Sequence, residues 1–220
     1  MPPEGNAAFV AAMEDVLSVY ERPYDVTHPV VCMDEASRQL LEDTRPGFVD
    51  SHGVMHTDYE YIRHGQQSIF LATEPLGQWR TTRVADHRTA VDWAHFVKEQ
   101  VIDHYPDVEK IVLVMDNLNT HKIASFYETY PPEEANRLAN RLEIHYTPKH
   151  GSWLNMAETE LSVLQTQCLK QQRIPTKEQL QKEVKAWEET RNKSQTGVNW
   201  QYTTEDARTK LKRLYPVIEV

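Results

Sequence analysis

The chain has 220 residues, 40% of them hydrophobic, with 24 Lys and Arg against 33 Asp and Glu and a formal net charge of −9. That length supplies one sizeable core, and the acidic surplus argues against a protein that coats nucleic acid through bulk positive charge, though not against clustered carboxylates beside local basic patches. No apolar run approaches the roughly 18–20 residues of a membrane-spanning helix, no basic and apolar leader opens the chain, and Cys32 and Cys168 stand far apart in apolar stretches, as reduced thiols of a cytoplasmic protein do.

Asn6 is placed to cap a helix whose apolar positions Phe9, Met13, Val16, Leu17 and Tyr20 recur at helical spacing. Pro23 and Pro29 bracket an extended connector, and Pro29 to Met33 reads as a short buried strand ending at Asp34. Residues 42–58 read as a polar loop. Tyr59 to Thr73 reads as a hairpin turning at His64-Gly65, followed by a strand from Trp79 to Val84. Thr89 caps a helix from Ala90 to about His104, with Val91, Ala94, Phe96, Val97 and Val101 on or near its buried face. A second buried strand, Ile111 to Met115, ends at Asp116.

Helical sequence then spans Ala124 to Leu142, interrupted near Pro131 and Pro132. A short strand follows from Leu142 to Tyr146. From Asn155 onward Ala157, Leu161, Leu164 and Cys168 form a helical stripe that Pro175 ends. Thr176 begins another helix through Leu180, Val184 and Trp187, and a basic helix runs from about Thr204 to Leu214. The order predicts an α/β fold with a mixed central sheet flanked by helices.

The informative feature is where the acids fall. Two apolar strands each end in an aspartate, Asp34 and Asp116, and sites in α/β sheets gather at the carboxyl ends of strands. Two carboxylates delivered there repel one another unless a cation lies between them, and oxygen-only ligands suit Mg²⁺ or Mn²⁺. Either aspartate alone also reads as a turn residue or helix cap; the pair is more specific. The third acid is Glu158 or Glu160. They flank the helical stripe at about 90° on one side and about 70° on the other, so periodicity leaves both open.

Three blocks resemble the acidic blocks of bacterial insertion-sequence transposases related to the mariner superfamily. They are Met33-Asp34-Glu35, the run from Val114 to His121, and the run from Tyr146 to Glu158. The resemblance covers nearly the whole chain and implies a ribonuclease-H-like catalytic core with an Asp-Asp-Glu triad. Leu154-Asn155-Met156-Ala157-Glu158 is similar to the family's Leu-Asn-Pro-x-Glu element, with Met156 in place of proline. That assigns Asp34, Asp116 and Glu158 as catalytic and metal-holding residues, with two Mg²⁺ or Mn²⁺ ions per site.

The implied activity is cut-and-paste transposition into TA targets. The resemblance implies that ions held by Asp34, Asp116 and Glu158 would supply activation of water, or later of the transposon 3′-hydroxyl, and stabilisation of the leaving oxygen. Implied partners are double-stranded DNA, as transposon ends and target, and a second copy of the chain in the active complex. The implied setting is the bacterial cytoplasm, at the nucleoid when active. The domain reading is a helix and connector over 1–28, the catalytic domain over 29–195 and a basic helical tail over 196–220. The family's N-terminal helix-turn-helix region is expected to lie outside this chain.

Asn119, His121, Lys122, Lys149, His150 and Trp153 are candidate DNA contacts. Each has a plainer reading: His121 as a helix-start residue, Trp153 as a core anchor and the others as a solvated loop. Glu35 is set aside, because an extended strand points it away from Asp34. Arg208, Lys210, Lys212 and Arg213 either contact flanking DNA or form an exposed helix face. A different ribonuclease-H-like nuclease and a catalytically inactive, transposase-derived DNA-binding domain are the alternative readings.

Overall fold

Asn6 starts the first helix, α1 (Ala7–Tyr20), by accepting a hydrogen bond from the Phe9 amide at 3.0 Å. The computed structural model describes residues 6–45, 47–56, 59–170 and 172–217. Five strands form one mixed sheet in the order β5-β4-β1-β6-β7. They are β1 (Val30–Asp43), β4 (Tyr61–Glu74), β5 (Trp79–Ala85), β6 (Ile111–Met115) and β7 (Leu142–Tyr146). Strands β1, β4 and β5 pair antiparallel, while β6 pairs parallel with both β1 and β7. A small ribbon, β2 (Phe48–Val49) with β3 (Met55–His56), stands apart from the sheet.

Alternation along β1 and β6 sends side chains to two cores. Cys32, Val112 and Val114 face a core shared with α1, α5 (Met156–Leu164), α6 (Lys177–Lys193) and α7 (Thr204–Lys210). Val31, Met33, Leu113 and Met115 face the other, covered by α2 (Ala90–Phe96), α3 (Ala124–Thr129) and α4 (Pro132–Ala139). Helices cover both faces because both faces of β6 are fully buried.

Four expectations are corrected, one of them being that residues 42–58 are a polar loop, since the span holds the end of β1 and the paired strands β2 and β3. Strand β1 does not end at Asp34 but runs nine residues further, to Asp43, paired with β4 through to Asp43↔Tyr61. Its outer half lacks an apolar face, and its backbone bonds are satisfied by β4. Residues 61–74 therefore form one strand, not a hairpin. Gly65, with φ +96°, sits where the register slips between Gln39 and Leu41, so it makes a bulge rather than a turn. Val91 points outward and is exposed.

The remaining elements follow local signals. Thr89 and Asp92 form a capping box at α2, whose helix continues through a π-helical turn, Val97–Val101. Pro132 occupies the first turn of α4 and separates it from α3. The C-terminal segment is fastened to α1: the Asn6 amide donates to the Leu214 carbonyl at 2.9 Å, and Arg208 forms a two-pronged pair with Glu14. Lys210 pairs with Asp206, so two of the four basic groups of this segment are engaged internally.

Candidate active site

The last parallel partners of β1 and β6 are Cys32 and Val114. Asp34 and Asp116 each lie two residues beyond that last pair, Asp34 within β1 and Asp116 just past the end of β6. Asp116 is the first residue after β6, where the backbone leaves the sheet. Asp34 is half-buried, and its Oδ1 accepts from the Glu35 amide at 2.8 Å. Burial is the largest effect on its carboxyl, pushing the pKa up to about 7 against that hydrogen bond, with the charges of Asp116, Glu35 and Glu158 adding to the rise. The three acids therefore share one electrostatic neighbourhood.

Glu158 reaches that neighbourhood through Asn155. The Asn155 side chain caps α5 by accepting from the Ala157 amide at 3.1 Å, and its Nδ2 donates to the Met33 carbonyl at 2.9 Å. One buried amide thus ties the start of α5 to β1 immediately before Asp34. Glu158 lies in the first turn, half-buried.

Glu160 has a different task. It is 3% exposed and accepts from Arg191 Nε at 3.0 Å, with Arg80 Nε at 2.9 Å; Arg80 is itself 1% exposed. Two guanidinium groups already balance its charge, whereas among the described residues no Lys or Arg ion pair engages Glu158.

His121 is not positioned to touch DNA. It is 1% exposed, with Nδ1 2.5 Å from Asp116 Oδ1 and Nε2 3.0 Å from Glu35 Oε1. Burial would lower its pKa, but the hydrogen bonds and charges of Asp116 and Glu35 outweigh that and push it up to about 9. It precedes α3, which begins at Ala124, rather than starting that helix. Glu35 does point away from Asp34, as strand alternation requires. The loop after β6 carries His121 under that opposite face, where the two meet. Among the described residues, Glu35, Asp116 and His121 are also the group whose prospective ligand atoms all lie within 4.8 Å of one another.

The other candidates divide. Asn119 and Lys122 are exposed on the loop after β6 and bond each other at 3.2 Å. Lys149 and His150 are exposed on the loop after β7. With Asn117 and Ser152 they line a groove of about 470 Å³ that opens onto Asp116. Trp153 is partly exposed and packs against Trp200, with centroids 6.4 Å apart, and against Tyr202 at 5.8 Å. It lies in neither buried core, so the core-anchor reading does not describe it. Sequence reasoning set Glu35 aside with no signal for its contact with His121, and gave Asn155 no role of its own.

The donor set fits hard divalent cations. Of the three sequence-assigned acids, only Asp116 belongs to the 4.8 Å cluster with Glu35 and His121, while Asp34 and Glu158 lie outside it; among the described residues no Lys or Arg forms an ion pair with any of the three. Among those residues no helix is long and apolar enough to cross a membrane.

The sequence matches a family model described as DDE superfamily endonuclease over residues 29–181. Among solved structures, the Mos1 mariner paired-end complex with Mg superposes with a TM-score of 0.61 at 14% identity, covering 99% of this chain and 66% of that one. The paired-end complex with Mn gives 0.54 at 16% identity, covering 86% and 57%. The catalytic domain of Mos1 mariner transposase gives 0.53 at 14% identity, covering 85% and 84%. This chain thus spans a little over half the length of the paired-end protein with Mn. No curated protein matches the sequence. At these identities the likeness is one of fold, and the fold is ribonuclease-H-like.

Proposed function

The chain belongs to the DDE superfamily endonucleases, and from that premise we propose that it is the catalytic domain of a DNA transposase, cutting and rejoining phosphodiester bonds with Asp34, Asp116 and Glu158. One observation carries this reading. Each aspartate follows the last paired residues of two adjacent parallel strands by two positions, and the Asp34 carboxyl is raised by burial first and also by the charges of Asp116, Glu35 and Glu158. Such stacking of negative charge is costly without a cation and suits a site built to hold one.

Asp34, Asp116 and Glu158 would hold two Mg²⁺ or Mn²⁺ ions. Bound there, the ions would supply activation of the attacking hydroxyl and neutralisation of charge on the leaving oxygen. The protein's own contribution is placement. Asn155 fixes the height of Glu158 against β1. Lys149 and His150 border the groove at Asp116 and offer donors to DNA phosphates, with Asn119 and Lys122 exposed on the loop after β6 as further candidates. Since cutting and joining differ only in the nucleophile, water or a 3′-hydroxyl, one site serves both.

By the same reading the substrates are transposon ends and a TA target, and the working form is a homodimer at bacterial DNA, in the manner of an insertion-sequence enzyme. The catalytic domain is assigned to 29–195, with 1–28 and 196–220 as supporting flanks. The Mos1 structures, described as paired-end and strand-transfer complexes, support this partner class by likeness of fold.

The test offers the chain a pre-cut end duplex, a plasmid target and Mn²⁺. Joined products are expected, and Asp116→Ala should abolish them. Cut products without joining would make the protein a plain nuclease, and no metal-dependent product with any end would leave an inactive DNA-binding domain.

A further inference from the structure

Glu35 lies 2% exposed on the face of β1 that carries Met33, toward the core built around Trp93 and Phe126. A carboxylate there is among the costliest groups to bury unless it is paired. Its pairing is specific. Oε1 meets His121 Nε2 at 3.0 Å, while the second oxygen, Oε2, has no partner among the described residues. Trp93 lies roughly parallel to the imidazole with centroids 6.0 Å apart, and the Tyr146 hydroxyl holds the residue's main chain by donating to the His121 backbone carbonyl at 2.8 Å. Its far nitrogen, Nδ1, meets Asp116 Oδ1. Carboxylate oxygens accept only, so Nδ1 must carry a proton to bond Asp116. The Glu35 amide, meanwhile, donates to Asp34 Oδ1 at 2.8 Å. One buried residue therefore touches the first aspartate through its backbone and the second through an imidazole.

We infer that Glu35, acting through His121, is a positioning residue that fixes the orientation of the Asp116 carboxylate for cation binding. The imidazole takes one Asp116 oxygen from the buried side and leaves the other for the ion, and Glu35 fixes the ring orientation through its bond to Nε2. Hydrogen-bond partners of ligating groups act in this way, and removing them weakens metal affinity by about 10–100-fold. The inference rests on reading Asp116 as a metal-holding acid.

The test is Mn²⁺ titration of the 220-residue chain, followed by the EPR signal of free Mn²⁺, alongside kcat and KM for DNA cleavage. Glu35→Ala is expected to weaken Mn²⁺ binding by roughly 10–100-fold and to lower kcat with KM for DNA unchanged. Glu35→Gln is expected to restore near wild-type affinity, since an amide can accept from or donate to Nε2 and so keeps the ring in place. The double variant Glu35→Met with His121→Phe fills the same space without polar groups, so it guards against misfolding of the single variant. It is expected to fold and to bind Mn²⁺ as weakly as Glu35→Ala. Unchanged Mn²⁺ affinity in Glu35→Ala or in the double variant would overturn the inference. So would a Glu35→Gln protein as impaired as Glu35→Ala, which would make Glu35 a direct cation ligand. Asp116→Ala separates the two levels. If it keeps full Mn²⁺ affinity, the proposed function falls and the inference with it; if it loses affinity while Glu35→Ala does not, the inference alone falls.

Discussion

Replacing Asp34 with asparagine should make the metal-free protein more stable while removing its function. Burial first, and then the charges of Asp116, Glu35 and Glu158, raise the Asp34 carboxyl from 3.8 to about 7. Between those values the folded protein holds a proton that the unfolded chain has released, so stability falls as pH rises through this window. Below the unfolded value the group contributes nothing; above the folded value its full penalty is present. A rise of that size corresponds to about 4 kcal/mol, and solvent around a half-buried group brings the expectation to about 2–4 kcal/mol. The asparagine amide would keep the acceptor for the Glu35 amide and titrate nothing. In EDTA at about pH 8, Asp34→Asn should therefore melt roughly 5–15 °C above wild type, and at about pH 4 the two should nearly coincide. Saturating Mn²⁺ should raise the wild-type midpoint and leave the variant's unmoved. Denaturant and thermal unfolding across pH would read both. Equal stability under the alkaline condition, or the same gain under the acidic one, would refute the argument that uncompensated charge is stored at this position.

Glu158→Gln should abolish metal-dependent cleavage and shift stability by less than about 0.5 kcal/mol, whereas Glu160→Gln breaks a buried double ion pair and should destabilise by about 3–5 kcal/mol in urea titrations. Asn155→Ala removes a helix cap and the bond to the Met33 carbonyl, so unfolding should cost about 1–3 kcal/mol less and cleavage should slow. Lys149→Ala should weaken DNA binding and reduce the slope of log affinity against log salt by about one, as read by fluorescence anisotropy across a salt series. Gly65→Val forces a branched side chain to φ +96° and should destabilise by about 1–3 kcal/mol without altering Mn²⁺ affinity in a titration.

Much of this molecule is legible from local pattern. The runs before Asp34 and Asp116 are apolar because both faces of their strands are covered, and the caps at Asn6, Thr89 and Thr176 form the hydrogen bonds their residue types predict. What sequence could not reveal depends on partners remote in the chain. The outer half of β1 has no apolar alternation and exists because β4 pairs with it, so Gly65 looks like a turn until its partner strand is known. Periodicity placed Glu158 and Glu160 symmetrically, and only Arg80 and Arg191, from β5 and α6, distinguish them. Strand alternation correctly turned Glu35 away from Asp34. It could not show that the loop after β6 folds His121 beneath the same face.

Cation binding by Asp34, Asp116 and Glu158 is the central claim, and anomalous diffraction from crystals soaked in Mn²⁺ tests it most directly. Density is expected between Asp34 and Asp116, with the Glu158 carboxylate rather than Glu160 turned toward it and His121 still bonded to Asp116. Crystals without density at the two aspartates, or with an ion seated instead between Glu35 and His121, would contradict it.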